Sequence, residues 1–533
     1  MKSMHMDRHH AKARTALNLD VLRTVISFLP VADLKGIAVV SQPLHEEASR
    51  EILSRGVHLR SNATKLKSFC DFMLKRDPPL FPYLRTFTLE HLPHRYVDQT
   101  AIDPTEILEV LSRAVYLRYL RIRWSDFLFT AESDKRLFIT LPKLPDLRRL
   151  EVWTRSNTTD TLVAETVLNL RSQLRTLDVP SDPDNQLSPD FPNLLAEKQQ
   201  SLYSLRICYP SLTNTQWAPF PSVRVLYLQI GDKLPSLPQL VHIFPALREL
   251  SVSAVGFEVD FAHPSPEHVR ARNEALAFQS SGKGWKSLDV LTAATIGDPW
   301  VLCLTCPVGS VSLGHYDVGS HRAFVDVVSG TRPRKVAVHL ACAQYCVRPD
   351  GLQNIFVFPS GVEDGTEEGV RGATHAVLMV SISSFNTVQD TATIIVSGPT
   401  VPSSLILTAG TSAQDTIASH VKDSALEYIH IGFAEFFMSG ELDERILKPE
   451  DIHEEVKKVI QEIDLELLVS GIVATGTRLR FVAVTAATRD QSMWAIDRTD
   501  NGQLVGRVKN AFSAREIIDR EERRHKGTGW FSQ

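Results

Sequence analysis

The sequence predicts an α/β chain: a short three-helix module at the amino end, then a solenoid of strand-and-crossover repeats whose parallel strands line its concave face. Three observations predict it. Apolar residues between Leu17 and Leu53 recur at helical spacing. A six-residue apolar phrase returns from Leu84 onward, and helix signals fall in the intervals between the phrases.

In the first helix Val21, Leu22, Val25, Ile26 and Leu29 occupy one face, and Asp20 is placed to cap its start. Pro30 ends it, because the residue before a proline is pushed out of the helical region. A second helix is expected after Asp33, with Leu34, Ile37 and Ala38. A third is expected at Pro43, a first-turn proline followed by Leu44, Ala48 and Ile52. Three such short helices bury too little surface to be comfortable alone. The unit is therefore a docking module or the cap of something larger.

The phrase has apolar residues at its first, fourth and sixth places. It reads Leu84 to Leu89, Leu117 to Ile122, Leu147 to Val152, Leu174 to Val179, Leu202 to Ile207, Val223 to Leu228 and Leu247 to Val252. Its starts are 33, 30, 27, 28, 21 and 24 residues apart. That phrase at that period is the signature of leucine-rich repeats, in which each phrase is a short parallel strand. The intervals carry helices: Asp103-Pro104-Thr105-Glu106 combines a cap, a first-turn proline and a capping-box acid ahead of Ile107, Leu108, Val110 and Leu111. Thr161 to Leu170 carries an apolar stripe, and Ser265-Pro266-Glu267 opens a helix through Val269 and Leu276.

Beyond residue 280 the phrase degrades. Trp285 to Val290, Val308 to Leu313, Lys335 to Leu340, Thr374 to Val380, Ser404 to Leu407, Leu426 to Ile431 and Leu479 to Val484 read as strands. Helices are expected at Ser320 to Val328, Ala413 to Val421 and Pro449 to Ile463, a loop at Ser360 to Gly372 and a capping helix after Ser513. The organisation is thus a disordered basic segment at 1–15, the helical module at 16–60, the repeat array at 61–292, irregular repeats or a second α/β domain at 293–510, and a capping helix and tail at 511–533.

A net charge of −4 over 533 residues gives no overall attraction to nucleic acid or to an anionic membrane. No window approaches the ~18 apolar residues of a spanning helix, and no signal-peptide core follows the basic start. The expected compartment is the cytoplasm or nucleus, where six cysteines would stay reduced. Cys303 and Cys306 have a CxxC spacing, with His339, Cys342 and Cys346 further on, but both pairs sit in apolar strand-like contexts, so no metal is assigned. His315 and His321 neighbour Asp317 as loop residues. No phosphate-binding glycine loop, nucleophile elbow or nucleophile-and-base set occurs, so the chain is expected to be no enzyme and to carry no cofactor.

Alternation along each strand turns the third and fifth residues of a phrase, and often the next odd one, away from the core. That exposes Tyr119, Arg121 and Arg123; Arg149, Glu151 and Trp153; Arg206; Tyr227; and Glu249. Arginine and aromatic side chains most often anchor protein interfaces, and Tyr119, Arg121, Arg123, Arg149, Trp153, Arg206 and Tyr227 form the candidate partner surface. The residues alone leave open whether these arginines only solubilise the face. Arg85, Arg118, Arg148, Arg175, Arg224 and Arg248 recur at the second place, a column that reads as register-locked surface charge more plainly than as a nucleic-acid site.

Over its first tenth the chain resembles the F-box family. Leu17, Asp20, Val21, Leu22, Ile26, Leu29, Pro30, Asp33, Leu34, Val39 and Val40 fit that pattern, and Asn18 stands where the family usually has proline. Joined to a leucine-rich array, the resemblance implies a substrate-receptor subunit of an SCF-type cullin-RING ubiquitin ligase. Leu17, Ile26, Leu29, Pro30 and Val40 would dock on the Skp adaptor, and the array would hold a target protein of unknown identity. The alternative is a ligase-independent leucine-rich scaffold.

Overall fold

The structure is a computed structural model that describes residues 18–60, 63–90, 104–123, 131–153, 166–167, 169–179, 195–208, 217–230, 236–254, 259–261, 263–316, 319–341, 375–382, 428–437, 445–446, 469–470, 472–473, 479–486, 492–498 and 504–509. The segments expected at 1–15, 360–372, 404–407, 413–421, 449–463 and 511–533 lie outside the described residues, as do Leu17, Asp317, Cys342 and Cys346. The chain is α/β and divides into two compact units, Met1–Val179 and Pro180–Gln533. Charge divides with them. The first unit has 27 Lys and Arg against 21 Asp and Glu, a net +6; the second has 31 against 41, a net −10.

The first unit opens with α1 (Leu19–Phe28), α2 (Val31–Ile37) and α3 (Gln42–Arg55). Asn18, rather than the expected Asp20, caps α1: its side-chain oxygen accepts from the Asp20 amide at 2.9 Å. The second helix starts at Val31 instead of after Asp33, because the Pro30 carbonyl already accepts from the Asp33 and Leu34 amides. Ile26, Leu34 and Ala48 form the core of the module, with Leu22, Leu29, Ala38, Leu44 and Ile52 packed around them. Arg55 closes the carboxyl end of α1 from across the module, donating to the carbonyls of Leu29 (2.5 Å) and Ser27 (2.7 Å).

Beneath the module α3 runs into β1 (Val57–Arg60) through Gly56, whose φ of +115° is open to glycine and strained for other residues. Then follow α4 (Ala63–Lys75), β2 (Thr86–Glu90), α5 (Pro104–Arg113), β3 (Tyr119–Arg123), α6 (Ala131–Thr140), β4 (Arg149–Trp153) and β5 (Thr176–Val179). The five strands pair in parallel, each with the next. Parallel pairing needs a crossover after each strand, and the intervals supply it. Ile107, Leu108, Val110 and Leu111 of α5 are all buried. Of the helix expected at Thr161 to Leu170 only part is described, with Val167 and Leu170 buried.

The second unit holds β6 (Ser204–Cys208), β7 (Val225–Ile230), α7 (Leu237–Ile243), β8 (Glu249–Ala254), α8 (Pro266–Ser280), β9 (Leu288–Ala293), α9 (Gly297–Leu302), β10 (Val308–Tyr316), α10 (His321–Thr331), β11 (Lys335–Ala341), β12 (His375–Ile382), β13 (Tyr428–Phe437), β14 (Arg445–Ile446), β15 (Phe481–Ala486), β16 (Ser492–Arg498) and β17 (Leu504–Lys509). Strands β6 to β13 and β15 pair in parallel; β14, β16 and β17 add antiparallel edges. The parallel pairing passes through residues 292 and 293 without a break and continues to β15.

Every described apolar place of the seven phrases before residue 280 is buried, from Leu84, Phe87 and Leu89 to Leu247, Leu250 and Val252. The eighth phrase is corrected. Leu291 pairs with Leu250 and Ala293 with Val252, so the repeating unit is Leu288–Leu291–Ala293, three residues later than the frame starting at Trp285. Trp285 is buried elsewhere, its Nε1 donating to the Phe244 carbonyl at 2.9 Å. Helix α8 forms where Ser265-Pro266-Glu267 opens it, Ser265 accepting from the His268 amide at 3.2 Å, but Val269 and Leu276 face solvent. Polar contacts hold it instead, from Arg272 to the Trp300 carbonyl (2.7 Å) and Asp326 (2.9 Å), and from Gln279 to the Cys303 carbonyl (2.6 Å).

Candidate functional site

Two apolar stripes run along α1. Leu22, Ile26 and Leu29 lie at offsets of four and seven and face the module core. Val21, Val25 and Phe28 lie at the same offsets one position earlier, and all three are exposed, Phe28 to 83%. Val31 at the start of α2, and Val39 and Val40 after it, are exposed as well, Val39 to 85%. Single exposed apolar residues are ordinary, but six on one module of three short helices make a candidate contact surface. Full burial of a valine or phenylalanine side chain by a partner contributes about 1.5–3 kcal/mol.

Of the residues expected to face an adaptor, Pro30 and Val40 are exposed and Leu29 is half-buried. Ile26 is corrected to a core residue, 2% exposed, because α2 and α3 close over its stripe. Val21, Val25, Phe28, Val31 and Val39 were missed as surface residues. The signal for them was present: α1 has more apolar side chains than one stripe can hold.

The module is held rigid by charge below that surface. Glu47 is nearly buried and accepts from Arg23 Nε and Nη2 at 3.0 Å each and from Arg50 Nη1 at 2.7 Å. The Arg23 hydrogen bonds hold its carboxyl below the usual carboxylate range against the opposing effect of burial. His45 bridges two elements: Arg76 donates to Nε2 at 2.7 Å, so Nδ1 carries the proton it gives to the Ala38 carbonyl at 3.1 Å.

The second candidate surface is the strand face of the first unit that points away from the apolar columns. Register places Tyr119 beside Arg149, and Arg121 beside Glu151 and then Asp178. Glu151, its side chain 4% exposed, accepts from Tyr119 Oη at 3.2 Å and Arg149 Nε at 2.6 Å, and pairs with Arg121 Nε at 3.2 Å. Arg149 also lies over the Tyr119 ring, 4.6 Å from its centre. Burial, then the Glu151 charge, push the Tyr119 hydroxyl up, so it stays a protonated donor at neutral pH.

Three of the expected partner-binding residues are thus brought together around one carboxylate. Arg206 and Tyr227 pair likewise in the second unit, guanidinium to ring centre 4.6 Å. Arg123 and Trp153 pair in register at the ends of β3 and β4, and their side chains lie outside the described residues. Glu151 was read as one outward residue among several, although fifth places of successive phrases are cross-strand neighbours and Arg121 and Glu151 are both fifth.

Burial pushes the thiols of Cys303 and Cys306 up, and that of Cys70 to about 12, which makes them poor nucleophiles. Tyr316 Oη and His321 Nδ1 are 3.1 Å apart under a ring of Phe324. Among the described residues no group of three or more His, Cys, Asp or Glu is placed to hold a metal, and no helix is long and apolar enough to cross a membrane. Compared with known proteins, the chain matches no family model and no curated sequence.

Proposed function

We propose that this chain is a substrate-receptor subunit of a cullin-RING ubiquitin ligase, with α1 to α3 as an F-box-like plug for a Skp-type adaptor and the strand-and-helix repeats as a leucine-rich cradle for a target protein. The observation that carries the reading is the doubled stripe of α1: Leu22, Ile26 and Leu29 fill the module, while Val21, Val25 and Phe28 are left for company. In this reading the adaptor covers that second stripe with Pro30 and Val40, and the target lies on the strand face of Tyr119 and Arg149 in the first unit. The chain supplies position and orientation, and other subunits supply the chemistry.

The test is co-purification with a Skp-type adaptor. Val25→Asp with Phe28→Asp charges the exposed stripe and leaves the core untouched, so adaptor capture should fall below detection with the circular dichroism spectrum and Tm unchanged. Undiminished capture ends the proposal. A ligase-independent scaffold is the second reading, and Asn18 favours it, since the position that the family gives to proline here caps α1. A wild-type chain that binds partner proteins and never the adaptor would establish that reading instead.

A further inference from the structure

Arg85, Arg118, Arg148 and Arg175 stand immediately before β2, β3, β4 and β5. Their backbones are locked to one another: the Arg118 amide donates to the Arg85 carbonyl at 2.8 Å, Arg148 to Arg118 at 2.8 Å and Arg175 to Arg148 at 2.7 Å. At the ~4.8 Å spacing of neighbouring strands the four side chains are rooted along a row about 14 Å long. Arg118, Arg148 and Arg175 are exposed, and among the described residues their side chains make no ion pair, hydrogen bond or ring contact; Arg85 lies over Tyr116.

The same place of the phrase is used differently in the second unit. Arg224 donates to the carbonyls of Pro221 (2.9 Å) and Ala246 (3.0 Å), and Arg248 reaches Asp289 at 3.6 Å. Repeat geometry alone therefore does not require these arginines to be unpartnered. Like charges on adjacent strands repel, and the row adds to a unit already at +6.

We infer that this row is a docking strip for a run of acidic side chains in a partner protein. A guanidinium fork takes a carboxylate through two parallel hydrogen bonds, and a row of about 14 Å spans about four residues of an extended peptide at ~3.4 Å each. Single-stranded nucleic acid is the poorer fit, because its sites rely on open ring faces. Here Arg85 already lies over one face of Tyr116 and Arg149 over one face of Tyr119. The inference deepens the receptor reading and rests on it only in calling the occupant a target; the strip is tested without the adaptor.

The experiment is fluorescence anisotropy of the full chain with a labelled hexaglutamate peptide, a hexaglutamine control and an oligouridylate of about ten nucleotides. Hexaglutamate should bind and hexaglutamine should not. Arg118→Gln, Arg148→Gln and Arg175→Gln together should weaken binding about tenfold or more, as should a rise from about 50 to about 200 mM salt. Arg248→Gln should change nothing. The single Gln variants, each expected to lose part of the affinity, carry the test if the triple variant does not fold. Equal affinity in the substituted chains overturns the inference, and so does tighter binding of the oligouridylate through the same arginines. Adaptor capture separates the two proposals: its absence from a wild-type chain that binds hexaglutamate through these arginines removes the receptor reading and leaves the strip standing.

Discussion

Glu151 shows how a single carboxylate organises a surface. Two arginines and a tyrosine converge on its buried side chain, so its removal leaves two cations facing one another. Glu151→Gln should lower stability by about 3 kcal/mol in urea titration, whereas Arg149→Ala, at a side chain 51% exposed, should cost about 1 kcal/mol or less. Glu47 provides a pH signature. Its carboxyl is held below the ordinary 4.5, so unfolding at acid pH takes up a proton. The stabilisation is complete above pH 4.5 and is lost as pH falls through the lowered value. Helical signal followed against pH should show this acid-side loss in the wild type and a flatter profile in Glu47→Gln. Alternation along the strands was enough to find Tyr119, Arg121 and Arg149. Their common partner needed the offset between repeats, which only pairing reveals.

Helix α1 is finished at both ends by side chains of the module itself. Asn18 satisfies an amide at its start, and Arg55, 26 residues from Leu29, gathers carbonyls at its end. Arg55→Ala should destabilise the module by about 1–2 kcal/mol and speed amide hydrogen exchange across residues 19–28, with little change in β2 to β5. Helical spacing made α1 and α3 legible. It merged the two stripes of α1 into one, because Val21 and Leu22 are only ~100° apart around the axis and nothing local says which the core takes. That choice depends on where α2 and α3 pack, which is tertiary information. The start of α2 was misplaced for a similar reason: a proline carbonyl began the helix before the acid that resembles a cap.

Across the whole chain, periodicity placed β2 to β8, since large residues at three places leave one register, and it missed the short β1. At β9 the frame was ambiguous, because Trp285, Leu288 and Val290 satisfy the phrase as well as Leu288, Leu291 and Ala293 do. Only pairing with Leu250 and Val252 decides it. Leu291→Ala should therefore cost about 3 kcal/mol by chemical denaturation and Val290→Ala about 1 kcal/mol, the reverse of the order set by the Trp285 frame. The strands expected at Val308, Lys335, Thr374, Leu426 and Leu479 form, and the phrase is faint there because small core residues such as Ala337 and Ala376 keep the register without advertising it. The opposite charges of the two units have a practical corollary. A pI near 6.5 averages +6 with −10, so the molecule should adhere at neutral pH to both cation-exchange and anion-exchange resins, each gripping a different stretch. Two such molecules meeting in dilute buffer would attract tail to head, and a pinch of salt would part them.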